Sequence, residues 1–131
     1  MAYRWGEHVG ELELRLDAAD EQGVFAAAVG AMAELLGDDG GETQEWFDLS
    51  AEGGDRATLL AAWVEEIVFL AERDGVIPAT VQDIALEPAS IRARVGGYRG
   101  HPPHLVKAVT YHRLTFEPSD NGWRANLVLD V

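Results

Sequence analysis

Three short stretches hold the charged residues that could do chemistry in this chain. GEHVGE, residues 6–11, sets a histidine between glutamates, and nitrogen and oxygen donors of this kind can bind a metal ion. HLVKAVTYHRLTF, residues 104–116, has the composition of a β-strand but holds Lys107 among apolar residues. GWRANLVLDV, residues 122–131, places Asp130 near its end. Taken alone, each charge is better explained as an ordinary exposed side chain, because that is the usual state of such residues.

The common catalytic motifs are absent from the sequence. It contains no Walker loop, no G-x-G-x-x-G after a strand, no G-x-S-x-G and no H-E-x-x-H. There is no cysteine, which excludes a disulfide framework, a thiolate nucleophile and a cysteine-based zinc site. His101 and His104 flank two prolines, and the prolines favour a rigid turn. A free-standing enzyme would have to rely on His8, His112 and scattered acids, so we expect a protein that is not an enzyme.

Length and composition predict one globular domain over residues 1–131, since 47% of the residues are hydrophobic and 25% are charged. No apolar run is long enough to cross a bilayer, and the first residues lack a signal-peptide core. We therefore expect a cytoplasmic protein without a membrane partner. The net charge is −13, with ten basic residues against 23 acidic ones. Tight direct binding to nucleic acid is not expected, whereas a basic protein partner or a bound cation suits such a surface.

Two amphipathic helices are predicted between strands. Asp20 is placed to cap the first helix, which ends near Gly37, and Asp55 is placed to cap the second, which ends at Gly75. Strand patterns occupy residues 9–16, 43–51, 90–97, 107–118 and 122–131. The last two strands form a hairpin around the SDNG turn, and residues 96–104 read as a glycine- and proline-rich loop. These elements predict an α+β two-layer sandwich, with a mostly antiparallel or mixed sheet of five or six strands and both helices on one face.

The alternation along the strands assigns side chains to faces. In the penultimate strand the even positions are predicted to be buried, namely Val106, Ala108, Leu114 and Phe116. Lys107 then lies on the opposite, polar face. Glu11 and Asp130 lie on the polar faces of their own strands, so the three charged side chains can share one side of the sheet.

The chain resembles the archease family in segments that follow one another along nearly its whole length. GEHVGELELRL is similar to the family's opening strand, whose usual motif is Asp-His-Thr-Ala-Asp. DEQGVFAAAVGAMAELL and LLAAWVEEIVFLAERDGVI resemble its two helices. HPPHLVKAVTYHRL and GWRANLVLDV resemble its signature loop and strand and its last strand. The resemblance implies the small α/β sandwich called SHS2.

The resemblance also implies a function. Archeases are accessory proteins of the RtcB-type RNA ligase, which joins RNA ends in tRNA splicing and RNA repair. They promote transfer of guanylate from GTP to the ligase's active-site histidine and restore multiple turnover. An RtcB-type ligase is therefore the partner that the resemblance implies.

Carried over by position, the family's metal-binding residues fall on Glu11, Asp130 and the carboxylate of Val131, and its motif lysine falls on Lys107. Oxygen donors of this kind suit Ca²⁺ or Mg²⁺. The first motif departs from the family pattern, because Glu7 and Glu11 replace aspartates and the threonine is missing. An alternative is therefore a divergent metal- or small-molecule-binding domain that kept the fold without the ligase.

Overall fold

The computed structural model describes residues 2–37, 41–102 and 106–131. These residues form seven strands and two helices in the order β1 (Ala2–His8), β2 (Glu11–Ala18), α1 (Glu21–Leu36), β3 (Glu45–Glu52), α2 (Arg56–Asp74), β4 (Val76–Leu86), β5 (Ser90–Arg99), β6 (Ala108–Ser119) and β7 (Gly122–Asp130). Sheet A has the strand order β1-β2-β7-β6, and sheet B has the order β3-β5-β4. Every strand pair in both sheets is antiparallel.

The helix ends lie where the sequence predicted them. The side chain of Asp20 accepts a hydrogen bond from the backbone N–H of Gly23 at 2.7 Å, and that of Asp55 accepts one from Thr58 at 2.8 Å. Each bond satisfies an amide in the first turn that has no partner within its helix. Helix α2 ends at Gly75, whose φ of 65° is the left-handed conformation that glycine adopts without strain.

One hydrophobic core joins the two sheets through the helices. Both α1 and α2 contact strands of sheet A and strands of sheet B. About half of the residues of each helix are buried, eight of 16 in α1 and nine of 19 in α2, and they form a broad apolar face and not one narrow stripe. Trp63 of α2 is fully buried, and its indole Nε1–H donates to the backbone oxygen of Phe25 in α1 at 3.3 Å.

The predicted α+β class, the two main helices and the antiparallel pairing are confirmed. The number and grouping of the strands differ from the predicted single sheet of five or six, since the seven strands of the described residues divide into a sheet of four and a sheet of three. Helices with a broad apolar face can be covered from more than one direction, and here the chain starts a second sheet after α1. Residues 2–8 add the unexpected strand β1, which pairs with β2 along its whole length.

The loop predicted for residues 96–104 is wrong at its start, because β5 continues to Arg99. Gly96 and Gly97, which fell in both the predicted strand and the predicted loop, belong to the strand. A Cβ on Gly97 would lie 2.4 Å from the backbone oxygen of Ile77, and one on Gly96 would lie 2.5 Å from Thr43 Cγ2. The two glycines therefore allow neighbouring groups to approach the strand closely and do not interrupt it. His104 lies outside the described residues, whereas His101 is exposed after the end of β5.

Within the described segments, no helix is both long enough and apolar enough to span a bilayer.

Replacing Trp63 with alanine should destabilise the fold strongly. The substitution removes a fully buried indole and leaves a cavity between the helices, which typically lowers the free energy of unfolding by about 3–5 kcal/mol. Urea denaturation followed by circular dichroism measures the change. Phe69→Ala on the same helix is the matched control, since Phe69 is 42% exposed and its loss should lower the free energy of unfolding by less than about 1 kcal/mol. Equal effects of the two substitutions would contradict the assigned core.

Candidate functional site

One end of sheet A brings together the backbones of the four residues that the resemblance singled out. Glu11, the first residue of β2, pairs with Asp130, the last residue of β7. The backbone N–H of Lys107 donates to the carbonyl oxygen of Asp130 at 2.8 Å, and that of Val131 donates to the carbonyl oxygen of Gly10 at 3.0 Å. We call Glu11, Lys107, Asp130 and Val131 the strand-end cluster.

A tight turn positions the first of these residues. Val9 and Gly10 connect β1 to β2, and His8 pairs with Glu11 across the turn. Gly10 has a φ of 74°, a conformation that side-chain-bearing residues rarely adopt, so glycine suits this position. The turn places Glu11 at the start of β2, beside the end of β7.

The predicted burial of Ala108 is wrong. Ala108 is exposed and pairs with Asp130, so it belongs to the polar face of sheet A, while its neighbour Val109 packs against the core. The other three predicted positions do contact the core, namely Val106, Leu114 and Phe116. The alternation of β6 therefore changes phase between Val109 and Leu114.

A bulge in β6 causes this change of phase. The strand advances five residues from Thr110 to Thr115, while β7 advances only two from Val128 to Asn126. The odd excess of three residues exchanges the two faces of the strand. Arg113 lies inside the bulge with a φ of 55°, in the left-handed region. With regular pairing Arg113 would lie on the same face as Val109, and the bulge redirects its side chain.

Lys107 lies just before β6 and is exposed. Its neighbour Ala108 occupies the polar face opposite Asp130, so the alternation that predicted Lys107 on that face is wrong. Lys107 is the single lysine of the chain, since the other nine basic residues are arginines. Among the described residues, no carboxylate forms an ion pair with it. A lysine in this state is a mobile point charge that can bind a phosphate or carboxylate of another molecule.

Glu13 is the buried charge of the polar face, and the sequence did not single it out. It is only 5% exposed, although it lies on the side of β2 opposite to the core. Three groups surround its carboxylate: Arg15 Nη2 at 2.9 Å, Arg113 Nη1 at 3.3 Å and Asn126 Nδ2 at 3.5 Å. Glu13 is therefore a buried acid that neighbouring cations and an amide compensate.

Arg113 links Glu13 to the strand-end cluster. Its Nη2 lies 3.6 Å from Oε2 of Glu11, within ion-pair range but beyond hydrogen-bond range. That oxygen is buried and has no hydrogen-bond partner among the described residues. The side-chain amide of Asn126 also donates to the backbone oxygen of Arg113 at 2.9 Å, which anchors the bulge to β7.

Different signals were available for these additional residues. The alternation of β2 already placed Glu11 and Glu13 on one polar face, so Glu13 could have been named with Glu11. The bulge that directs Arg113 toward both acids depends on how β6 pairs with β7, so the spacing of residues within β6 alone does not indicate the bulge.

The surroundings of Glu13 also affect its ionisation. Burial opposes the charged form most strongly, but the hydrogen bond from Arg15, the charge of Arg113 and the hydrogen bond from Asn126 outweigh burial together. The result is a pKa of Glu13 below its usual value. The carboxylate is therefore ionised at neutral pH and binds the two arginines as an anion.

Comparison with known proteins decides the family. The model of the Archease protein family matches residues 3–131. An archease of Methanopyrus kandleri is 34% identical over 134 residues, which cover 95% of this chain and 96% of that protein. An archease of Methanosarcina mazei is 30% identical and covers 98% and 95% of the two chains. This chain belongs to the archease family.

Solved structures support the archease fold. The solution structure of protein 1598 of Methanobacterium thermoautotrophicum superimposes with a TM-score of 0.75 at 21% identity and covers 98% of each chain. The crystal structure of an archease of Thermotoga maritima, described as a possible chaperone, gives a TM-score of 0.70 at 19% identity and covers 96% and 94%. At these identities the likeness concerns the fold alone.

The divalent ion that the archease resemblance implies would need several oxygen ligands around one point. Ca²⁺ takes six to eight such ligands at about 2.3–2.6 Å. Within the part of the chain that the structure describes, no group of three or more histidine, aspartate or glutamate side chains is placed to hold a metal. The unbonded oxygen of Glu11 faces the guanidinium of Arg113. This arrangement fits a guanidinium better than a divalent ion, and the set of Glu11, Asp130 and Val131 stays a prediction.

Replacing Glu13 with glutamine should destabilise the protein at neutral pH. The glutamine amide has the same shape but no charge, so the charge-assisted hydrogen bonds to Arg15 and Arg113 weaken. Because both arginines are about half exposed, we expect the free energy of unfolding to fall by roughly 1–2 kcal/mol. The folded-state pKa of Glu13 is depressed, so its stabilisation is present above the unfolded-state pKa of about 4.3 and is lost as the pH falls through the folded-state pKa. The difference in free energy of unfolding between wild type and variant should thus decrease below about pH 4. Denaturant titrations at several pH values measure this difference, and a difference that does not change with pH would contradict the assigned ionisation.

Proposed function

We propose that this archease is the accessory protein of an RtcB-type RNA ligase. In this proposal it promotes transfer of guanylate from GTP to the active-site histidine of the ligase and so maintains multiple turnover. It acts on the ligase in the cytoplasm and does not itself catalyse the ligation. Membership of the archease family supports the proposal.

The observation that carries the proposal is the backbone convergence of Glu11, Lys107, Asp130 and Val131 at one end of sheet A. These residues come from the motifs that distinguish the family, and three separate parts of the chain bring them together. Glu11 and Asp130 lie on strands, which hold side chains in more defined positions than a free loop does. Lys107 and Val131 lie directly beside strand ends, and backbone hydrogen bonds to Asp130 and Gly10 restrain them. A cluster built in this way can present one cation and several carboxylates to a partner in a fixed arrangement.

The charges of the cluster match the chemistry of guanylate transfer. The ammonium of Lys107 can contact phosphate oxygens of the nucleotide, because it is exposed and unpaired among the described residues. The carboxylates can contact basic residues of the ligase, whose nucleotide and RNA cleft needs positive charge and Mn²⁺. In this proposal the protein approaches the cleft without competing for RNA.

The net charge of −13 supports a protein partner over direct RNA binding. An acidic surface repels a phosphate backbone and attracts a basic cleft, which raises the rate of encounter. A surface depression lined in part by Asp17, Trp123 and Arg124 lies at the opposite end of sheet A from the strand-end cluster. The cluster is therefore suited to surface contact and does not rely on that depression.

Two observations favour a second function class, a divergent binding domain without a ligase partner. Glutamates replace aspartates in the first motif, at Glu7 and Glu11. Arg113 also faces the Glu11 carboxylate. A pull-down from the native cell separates the two classes, because only the ligase accessory protein should recover an RtcB-type ligase.

Adding the protein to its cognate ligase should increase the rate of guanylylation and convert single-turnover ligation into multiple turnover. The expected reason is that guanylate transfer limits each new cycle. Incorporation of radiolabelled guanylate from GTP into the ligase measures the first step, and ligated product per ligase measures turnover. Unchanged values for both quantities would refute the proposed function.

Replacing Lys107 with alanine should abolish activation while the fold is retained. Lys107 is exposed and forms no ion pair in the described structure, so the free energy of unfolding should change by less than about 0.5 kcal/mol. Guanylylation assays and urea denaturation measure the two effects. Arg73→Ala removes another exposed cation, from α2, and should leave activation intact.

Lys107→Arg separates charge from geometry, because arginine keeps the charge on a planar and bulkier group. Since Lys107 is the single lysine, an amine-reactive cross-linker can attach this chain to the ligase only through Lys107 or the terminal amine. Cross-linked peptides containing Lys107 would support the assigned contact. Full activation by Lys107→Ala would exclude it.

A further inference from the structure

We propose that Arg113 is the built-in counterion of Glu11 and Glu13, and that it takes the place of the divalent cation that the archease resemblance implies. The carboxylate site of this chain is then metal-independent. This inference rests on the geometry of sheet A and does not depend on the ligase partnership.

The two acids and the arginine form one connected group. Glu11 and Glu13 are successive positions on the polar face of β2, and one guanidinium reaches both: Nη2 lies 3.6 Å from Glu11 and Nη1 lies 3.3 Å from Glu13. A planar guanidinium with separate nitrogens is suited to bridging two carboxylates in this manner.

A divalent ion would have to share this place with the guanidinium. Ca²⁺ bound to Oε2 of Glu11 would lie about 2.3–2.6 Å from that oxygen, while Nη2 of Arg113 already lies 3.6 Å from it. Two positive groups so close together repel each other. Because arginine stays protonated throughout the range in which proteins are folded, a change of pH does not remove its charge. The site can therefore hold the guanidinium of Arg113 or a divalent ion beside Glu11, but not both.

The backbone restrains the position of Arg113. Its carbonyl oxygen accepts a hydrogen bond from Asn126 at 2.9 Å, and its φ of 55° belongs to the bulge in β6. Bulges commonly redirect one side chain relative to a regular strand. Here the side chain crosses toward β2, where it is 44% exposed and contacts both acids. This tether distinguishes it from an arginine that pairs with an acid only by chance at the surface.

The longer acid in the first motif belongs to the same arrangement. Glu11 carries its carboxylate one methylene farther from the backbone than an aspartate would. Its ion pair with Arg113 already spans 3.6 Å, so shortening the side chain should weaken the pair. We therefore expect the ion pair with Arg113 to depend on the longer glutamate side chain at position 11.

Calcium binding tests the proposal without the ligase. Isothermal titration of the purified protein with CaCl₂ and thermal unfolding in Ca²⁺ or EDTA are measured for wild type, Arg113→Gln and the double variant Glu11→Asp with Arg113→Gln. Wild type should show no saturable Ca²⁺ binding and the same melting temperature in both buffers. Arg113→Gln should show saturable Ca²⁺ binding with an affinity at least about tenfold above the weakest binding that the wild-type titration would detect, and the double variant should bind at least as tightly.

Arg124→Gln is the matched control. Arg124 also lies on sheet A and pairs with a glutamate, Glu117, at 3.0 Å, but it is remote from Glu11 along β7. The control should bind no more Ca²⁺ than wild type. Stoichiometric Ca²⁺ binding or Ca²⁺-dependent stabilisation of wild type would overturn the proposal, whatever the variants do. Folded Arg113→Gln without any gain in affinity would overturn it as well.

Discussion

The pairing of β2 with β7 is the constraint on which the rest of this structure depends. Eight residue pairs join these central strands of sheet A, from Glu11 with Asp130 to Ala18 with Trp123. One register sends the buried leucines of both strands into the core and assembles the acids on the opposite face. Because side chains alternate, a slip of one residue would reverse both faces at once. The hydrophobic core therefore fixes the position of the carboxylates as well as its own packing.

The bulge in β6 is a local exception to this regular pairing. Without it, the alternation set by Val109 would not place Leu114 on the core face, and Arg113 would not reach two acids on β2. The bulge leaves residues of β6 without ladder partners, but the side-chain amide of Asn126 satisfies the carbonyl of Arg113. Val128, next to Glu13 in the register, is fully buried on this polar face. The polar face is thus partly covered and not a uniformly solvated surface.

Sequence patterns predicted the features that depend on local interactions. Asp20 and Asp55 cap helices because a side chain meets amides three residues later, and that relation can be read along the chain. Features that depend on a second strand were missed. Gly96 and Gly97 were predicted both as strand and as loop, because glycine occurs in turns and also where a neighbouring group packs closely against a strand. Only the approach of Ile77 and Thr43 distinguishes the two cases. The family resemblance predicted Glu11, Lys107 and Asp130 as site residues, whereas Arg113 could be assigned only from the bulge in β6.

Charge acts at two length scales in this protein. The net charge of −13 governs how partners approach, but at physiological ionic strength its influence declines over about 8 Å. The groups on the polar face of sheet A act at contact distance, where Arg113 and Arg15 neutralise much of the charge of Glu11 and Glu13. Arg113 is held within the face, while Lys107 is exposed just before the start of β6. The arginines therefore pair with the acids of this face, whereas the single lysine forms no ion pair among the described residues.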